Sequence, residues 1–134
     1  MPPRNERIPV VFDTNVLAAY YLRSEGESAN NRVYRLWRNR RELQLIVSAE
    51  IIAEYFEVLE RIGTGDRRMA RLEARLRGRE TVTLVTPGPQ PTESRDPDDN
   101  IMLAAAVVGK AKFLITNDRD LLDIPAPAAC IAPR

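Results

Sequence analysis

The most constraining feature of the sequence is a continuous apolar run at residues 8–12 that ends directly in an acid, Asp13. Its β-branched and aromatic residues favour a strand, and the lack of polar alternation predicts a strand buried on both faces of a parallel sheet. In open α/β sheets, ligands bind outside the carboxyl ends of the strands, which is where Asp13 falls. The alternative is that Asp13 or Thr14 only caps a following helix, Val16–Leu22.

The same alternation of strand and helix continues along the chain. It predicts βαβ units and an α/β fold, with helices covering both faces of a parallel sheet. Predicted strands lie at residues 8–12, 44–47, 81–85, 112–115 and 128–132, and predicted helices lie at 16–22, 31–40, 49–61, 66–78, 97–108 and around 121–122.

Composition limits the function classes. The 134 residues suit one domain, expected to span 1–134 with a flexible tail at 1–7. The single cysteine, Cys130, excludes an intrachain disulfide and fits a cytoplasmic protein, and no apolar run is long enough to cross a membrane. The chain has no histidine, which excludes a Ser-His-Asp triad and histidine metal ligands. Carboxylates are therefore the expected working groups of any active site.

Four acids stand at matching ends of the predicted elements. Asp13 and Asp118 follow the first and fourth strands, Glu54 lies on the helix after the second, and Asp99 begins the helix before the fourth. Because strand carboxyl ends and helix amino ends share one edge of such a sheet, these four carboxylates could converge. Each also has an ordinary explanation, such as a helix cap or, for Glu54, a surface charge beside an apolar stripe.

The predicted helix at residues 66–78 is basic and amphipathic. Its arginines Arg68, Arg71 and Arg75 lie opposite an apolar face that includes Leu72. They could be a solvated face, or they could contact a phosphate backbone or a protein partner. We expect the second.

Four short motifs occur in a fixed order along nearly the whole chain. They are Val11–Leu17 (VFDTNVL), Val47–Glu54 (VSAEIIAE), Asp96–Ala106 (DPDDNIMLAAA) and Leu114–Leu122 (LITNDRDLL). This ordered set resembles the PIN domain family, in particular its bacterial toxin-like (VapC-like) branch. The resemblance implies a three-layer α/β/α sandwich with a five-stranded parallel sheet of order 3-2-1-4-5.

The resemblance also implies a site. The catalytic acids would be Asp13, Glu54, Asp99 and Asp118; Asp13, Asp99 and Asp118 would be metal ligands; and Thr14, Asn15, Thr116 and Asp120 would be supporting residues. Asp99 is preferred over its neighbours Asp96 and Asp98 because Ala104 and Ala106 follow it at the family's spacing.

Clustered carboxylates repel one another, and a hard divalent cation with oxygen ligands relieves that repulsion. The implied function is Mg²⁺- or Mn²⁺-dependent hydrolysis of single-stranded RNA, with Glu54 completing the site or orienting the attacking water. The protein would be a toxin restrained by a small antitoxin, and could form a homodimer.

Three alternative functions are compatible with parts of this pattern. A PIN-like module that binds RNA or protein without cutting is disfavoured because all four acids are present. A haloacid-dehalogenase-like phosphatase needs Asp-x-Asp after its first strand, where this chain has Asn15. A response-regulator receiver needs a lysine after a later strand, and residues 116–118 supply none.

Overall fold

The computed structural model of the chain describes residue 3 and residues 6–88, 97–117 and 129–131. These residues form alternating strands and helices: β1 (Ile8–Phe12), α1 (Thr14–Leu22), α2 (Ala29–Arg38), β2 (Leu43–Val47), α3 (Ala49–Arg61), α4 (Asp66–Gly78), β3 (Val82–Leu84), α5 (Pro97–Val108), β4 (Phe113–Ile115) and β5 (Ala129–Ile131).

The strands form one five-stranded sheet of order β3-β2-β1-β4-β5, and every neighbouring pair is parallel. This confirms the predicted fold class and strand order. The chain moves from β1 to β2 on one side, while β4 pairs with the other side of β1. The crevice between the carboxyl ends of β1 and β4 is therefore the topological switch point of the sheet.

Helices cover both faces of the sheet. On one face, the Trp37 ring of α2 makes an edge contact with Phe12, with ring centroids 6.1 Å apart. Ile46 points to the other face, because Val10 pairs with Leu45 and side chains alternate along a strand. There Ile46 approaches the backbone of Gly109, just after α5. Successive strand residues are consequently buried, which explains the continuous apolar runs in the sequence.

Local signals explain where α3 begins and ends. The hydroxyl of Ser48 accepts a hydrogen bond from the Ile51 amide at 3.2 Å, satisfying one of the unpaired N–H groups of the first turn. Gly63, one residue after the C-cap, adopts a φ of 75°, a conformation that costs little without a Cβ. The predicted bounds of α3 and α4 are confirmed.

Other predicted boundaries shift by one or two residues. Helix α1 begins at Thr14 and α2 runs two residues earlier than predicted, since Ser28 caps it. The predicted fifth strand is confirmed at Ala129–Ile131, and the short helix predicted around residues 121–122 lies outside the described residues.

Arg7, assigned to a flexible tail by the sequence analysis, is buried. Its guanidinium donates to the Glu80 carbonyl at 2.7 Å and to the Gln44 side chain at 3.2 Å. The packed structure therefore includes Arg7.

Candidate active site

The ends of β1 and β4 bring two predicted site residues side by side. The Asp13 amide donates to the Ile115 carbonyl at 2.9 Å, extending the pairing of the two strands by one residue. Thr116 follows Ile115 directly, so its side chain emerges beside that of Asp13. Both lie at the carboxyl edge of the sheet, at the switch point.

The Asp13 side chain is directed toward this edge and does not cap α1. Asp13 occupies the N-cap position, but its carboxylate makes no cap hydrogen bond. One carboxylate oxygen, Oδ2, instead accepts from the Thr116 hydroxyl at 2.6 Å. Asp13 is only 6% exposed and Thr116 is fully buried. The alternative in which Asp13 caps α1 is therefore wrong: this carboxylate is held in place by a residue on another strand.

Glu54 joins the same site through Thr14. The Thr14 hydroxyl donates to the Glu54 carboxylate, linking the first residue of α1 to the middle of α3. Glu54 is half-buried and Thr14 is buried. Glu54 is thus directed at a neighbouring helix, which excludes the interpretation of it as an ordinary surface charge.

Tyr55 is a site residue that the sequence analysis missed. Its hydroxyl donates to the Phe12 carbonyl at 2.5 Å, one residue before Asp13, and its side chain is fully buried. Burial raises the pKa of Tyr55 well above its usual value, and the nearby carboxylates of Asp13 and Glu54 raise it further. Its position in the apolar stripe of α3 suggested only a core residue, and nothing local marks the hydrogen bond across to β1.

Two further polar residues lie buried near this edge. Ser48 follows β2, is fully buried, and caps α3. Asn100 lies in the first turn of α5 and is 8% exposed. A buried polar side chain normally has a hydrogen-bonding role, so both belong to the polar framework of the candidate site.

The structure describes only some of the remaining predicted site residues. Asp99 lies in the first turn of α5. That turn is at the carboxyl edge, because β4 begins shortly after α5 ends and the helix must run against the strands. Asn15 is exposed on α1. Asp96, Asp118 and Asp120 lie outside the described residues, so convergence of all four acids stays a prediction.

The described side chains offer the type of ligand atom that a hard cation binds. Asp13 and Glu54 offer carboxylate oxygens, the ligand type that Mg²⁺ and Mn²⁺ prefer. Among the described residues, no three acidic, cysteine or histidine side chains form a metal-binding group. The assignment of Asp99 and Asp118 to the same cation site stays a prediction.

The arginines of α4 occupy different environments. Arg68 lies over the Tyr21 ring, with its guanidinium carbon 4.6 Å from the centroid, and Arg75 lies 5.8 Å from the Trp37 centroid. Both are half-buried, whereas Arg71 is exposed. Arg68 and Arg75 therefore pack onto the protein, and the predicted contact of the three with RNA or a partner stays a prediction.

The structure is a parallel α/β/α sandwich with the buried carboxylate of Asp13 at its switch point. A family model described as the PIN domain matches residues 9–120. The chain belongs to the PIN domain family.

Among solved structures, the chain is similar to one in the crystal structure of VapBC2 from Rickettsia felis bound to a DNA fragment from their promoter. The TM-score is 0.63 at 16% identity, covering 95% of this chain and 100% of that chain. This likeness shows the shared fold. No curated protein matches the sequence. None of the helices within the described ranges is long and apolar enough to span a membrane.

Proposed function

We propose that this protein is a metal-dependent endoribonuclease that cleaves single-stranded RNA and acts as the cytoplasmic toxin of a toxin–antitoxin pair. The observation that carries the proposal is the position of Asp13. Its buried carboxylate sits at the switch point of the sheet, bonded to Thr116 and not to the helix that it precedes. A buried carboxylate is costly unless it is stabilised, and a functional site is one reason to keep it there.

Membership of the PIN domain family supports nuclease activity, and the sequence retains all four acids of the family pattern. In the proposed site, Asp13, Asp99 and Asp118 hold Mg²⁺ or Mn²⁺, and Glu54 completes the site or orients the attacking water. When bound, the cation would polarise the phosphodiester and lower the pKa of a bound water.

The residues around the acids act by positioning. Thr116 donates to one oxygen of Asp13 and so fixes the rotation of that carboxylate. Thr14 does the same for Glu54. Hydroxyl donors of this kind orient ligands that would otherwise rotate freely, and they stabilise the charged form of each acid. Asn15 and Asp120 are proposed as further supporting residues.

The direct test is cleavage of varied single-stranded RNA by purified protein. We expect cleavage with Mg²⁺ or Mn²⁺ and none with EDTA. Asp13→Asn should lower the rate by more than about 100-fold, since it removes a ligand charge without changing side-chain size. Asp66→Asn is the matched control: it makes the same change at an exposed aspartate on α4 and should keep full activity.

Two results would contradict the nuclease proposal. Intact RNA with either metal would favour a PIN-like module that binds RNA or protein without cutting. An unchanged rate in Asp13→Asn would place the activity in a contaminant or another site, and an equal loss in Asp66→Asn would assign the effect to general destabilisation.

The toxin proposal is tested separately. It is supported by the fold shared with a chain of the VapBC2 structure. Induced expression in a bacterial host should slow growth, Asp13→Asn should relieve the effect, and a small protein encoded beside this one should bind it and restore growth. Absence of a growth effect together with RNA cleavage would reject the toxin role and leave the nuclease proposal standing.

A further inference from the structure

A pocket lies away from the acids, between α1, α2 and α4. Its volume is about 560 Å³, within the range of small-molecule sites. None of the residues that line it belongs to the acid site. Its wall includes Arg41, Glu80 and Thr81, which come directly before β2 and β3 at the amino edge of the parallel sheet. Asp13 follows β1 and therefore lies at the opposite, carboxyl edge. We call this cavity the arginine pocket because of the five arginines in its wall: Arg38, Arg41, Arg68, Arg71 and Arg75.

The charge of the arginine pocket is poorly balanced. Within the part of the chain that the structure describes, Glu80 is the single carboxylate that lines it, and it forms an ion pair with Arg41 at 2.7 Å. Arg38 donates to the Tyr20 hydroxyl at 2.8 Å, and Arg68 donates to the Tyr21 carbonyl at 2.9 Å. These acceptors are neutral. Several guanidinium charges thus face one cavity without a described carboxylate to offset them, which favours a bound anion.

The arginines are also held in position. Arg68 and Arg75 each pack over an aromatic ring and donate to a backbone carbonyl, Arg75 to that of Arg38. A guanidinium carries five N–H donors, so a single such bond leaves most of them for a ligand. Side chains fixed in this way lose little further entropy on binding.

Phosphate is the anion that this arrangement fits best. A phosphate monoester carries about −1.5 to −2 charges at pH 7 on three acceptor oxygens, and guanidinium groups bind such oxygens in bidentate fashion. The half-buried ring of Tyr21 adds aromatic surface to the wall, whereas the Tyr20 and Tyr34 rings are buried and stacked on each other. Aromatic surface beside a phosphate site suits a nucleobase or another flat group.

We propose that the arginine pocket is a binding site for a compact phosphate ester of nucleotide size, separate from the proposed nuclease site and independent of its activity. The structure favours such a ligand over an RNA strand because the five arginines line one half-open pocket of about 560 Å³. It favours phosphate over an acidic peptide because a single compact group can neutralise several of these charges.

The test uses ADP and pyrophosphate as probes, with adenosine as the uncharged comparison. EDTA is present throughout so that no cation can hold phosphate at the acid site, and ionic strength is kept constant. Trp37 is the only tryptophan and lies beside Arg75, so its fluorescence reports on the arginine pocket; calorimetry gives the affinity independently. We expect ADP and pyrophosphate to bind and adenosine not to bind.

Arg71→Gln is the informative variant because Arg71 is exposed and the fold does not depend on it. It should weaken ADP binding by about tenfold or more, the value of a charge-assisted hydrogen bond. Arg67→Gln removes the same charge from an exposed position on α4 outside the pocket lining and should change the affinity by less than about twofold.

Four outcomes would overturn the proposal. ADP and adenosine could bind equally, or Arg67→Gln could weaken binding as much as Arg71→Gln does. A single-stranded oligonucleotide could bind with the same Arg71 dependence while ADP does not, which would assign the surface to RNA. A glutamate-rich peptide could bind in place of both, which would assign it to an acidic protein partner.

Discussion

The hydroxyl of Tyr55 offers the sharpest test of how the acid site is held. Tyr55→Phe removes one oxygen atom and keeps the ring in the core. The lost hydrogen bond runs to the Phe12 carbonyl, one residue before Asp13. The substitution thus loosens the strand end that carries Asp13 without touching any carboxylate.

The magnitude follows from burial. Loss of one partner from a buried hydrogen bond costs about 1–3 kcal/mol, because the remaining polar group stays buried and has lost a hydrogen-bond partner. Tyr55 is fully buried, so we expect about 2 kcal/mol, the middle of that range. For a domain of this size, that lowers the melting temperature by roughly 6–10 °C.

The matched control is Tyr34→Phe. It removes the same atom from a buried tyrosine whose hydroxyl bonds to that of Tyr21 at 2.6 Å, outside the acid site. Both variants should lose stability in urea or thermal unfolding. Only Tyr55→Phe should lower kcat for RNA cleavage, by about tenfold, with KM nearly unchanged. It should also weaken Mn²⁺ binding, whereas Tyr34→Phe should not.

The reasoning is refuted if the free energy of unfolding of Tyr55→Phe lies within about 0.5 kcal/mol of that of the parent protein, because ordinary surface substitutions give changes of that size. It is also refuted if the two variants lose kcat equally, since the loss would then reflect general destabilisation.

Four further predictions concern other residues. Gly109→Ala should cost about 1–3 kcal/mol in urea unfolding, since the new Cβ would meet the Ile46 Cγ2 atom at 2.6 Å; an unchanged midpoint would show that the contact relaxes freely. Burial raises the pKa of Tyr34. The folded protein therefore keeps this proton above about pH 10 while the unfolded chain releases it, and Tyr34 alone lowers the free energy of unfolding by about 1.4 kcal/mol per pH unit there. Tyr34→Phe should reduce that slope, and an unchanged slope would contradict the assignment. Asp99→Asn should abolish RNA cleavage yet keep or raise thermal stability without metal, because it relieves like-charge repulsion. Asp96→Ala should cost about 1 kcal/mol as a lost helix cap and spare activity, and the reverse pattern would show that the third acid is misassigned.

Much of the fold could be predicted from the sequence because it depends on local signals. Continuous apolar runs predicted buried parallel strands, and the cap at Ser48 with Gly63 beyond the other end fixed α3 to the residue. These features depend on neighbours a few positions away, so they can be read without coordinates. The strand order came from resemblance to a family, and the sheet confirms it.

The arginines of α4 show where the sequence pattern was insufficient. Helical periodicity placed Arg68 and Arg75 on a face opposite the apolar residues. The structure folds them over Tyr21 and Trp37, and the arginine pocket is formed with residues of other helices. A long side chain can reach beyond its own helix face, so its surroundings depend on which elements pack beside it.

The sequence alone determined which acids and hydroxyls were available, and the tertiary structure decided what each one does. Asp13 had a good local role as a helix cap, yet it bonds to Thr116, 103 positions away. Thr14 and Glu54 are 40 positions apart, and Tyr55 reaches a carbonyl 43 positions away. No local pattern encodes these contacts, because they arise only when parallel strands and the helices between them bring their ends to one edge of the sheet.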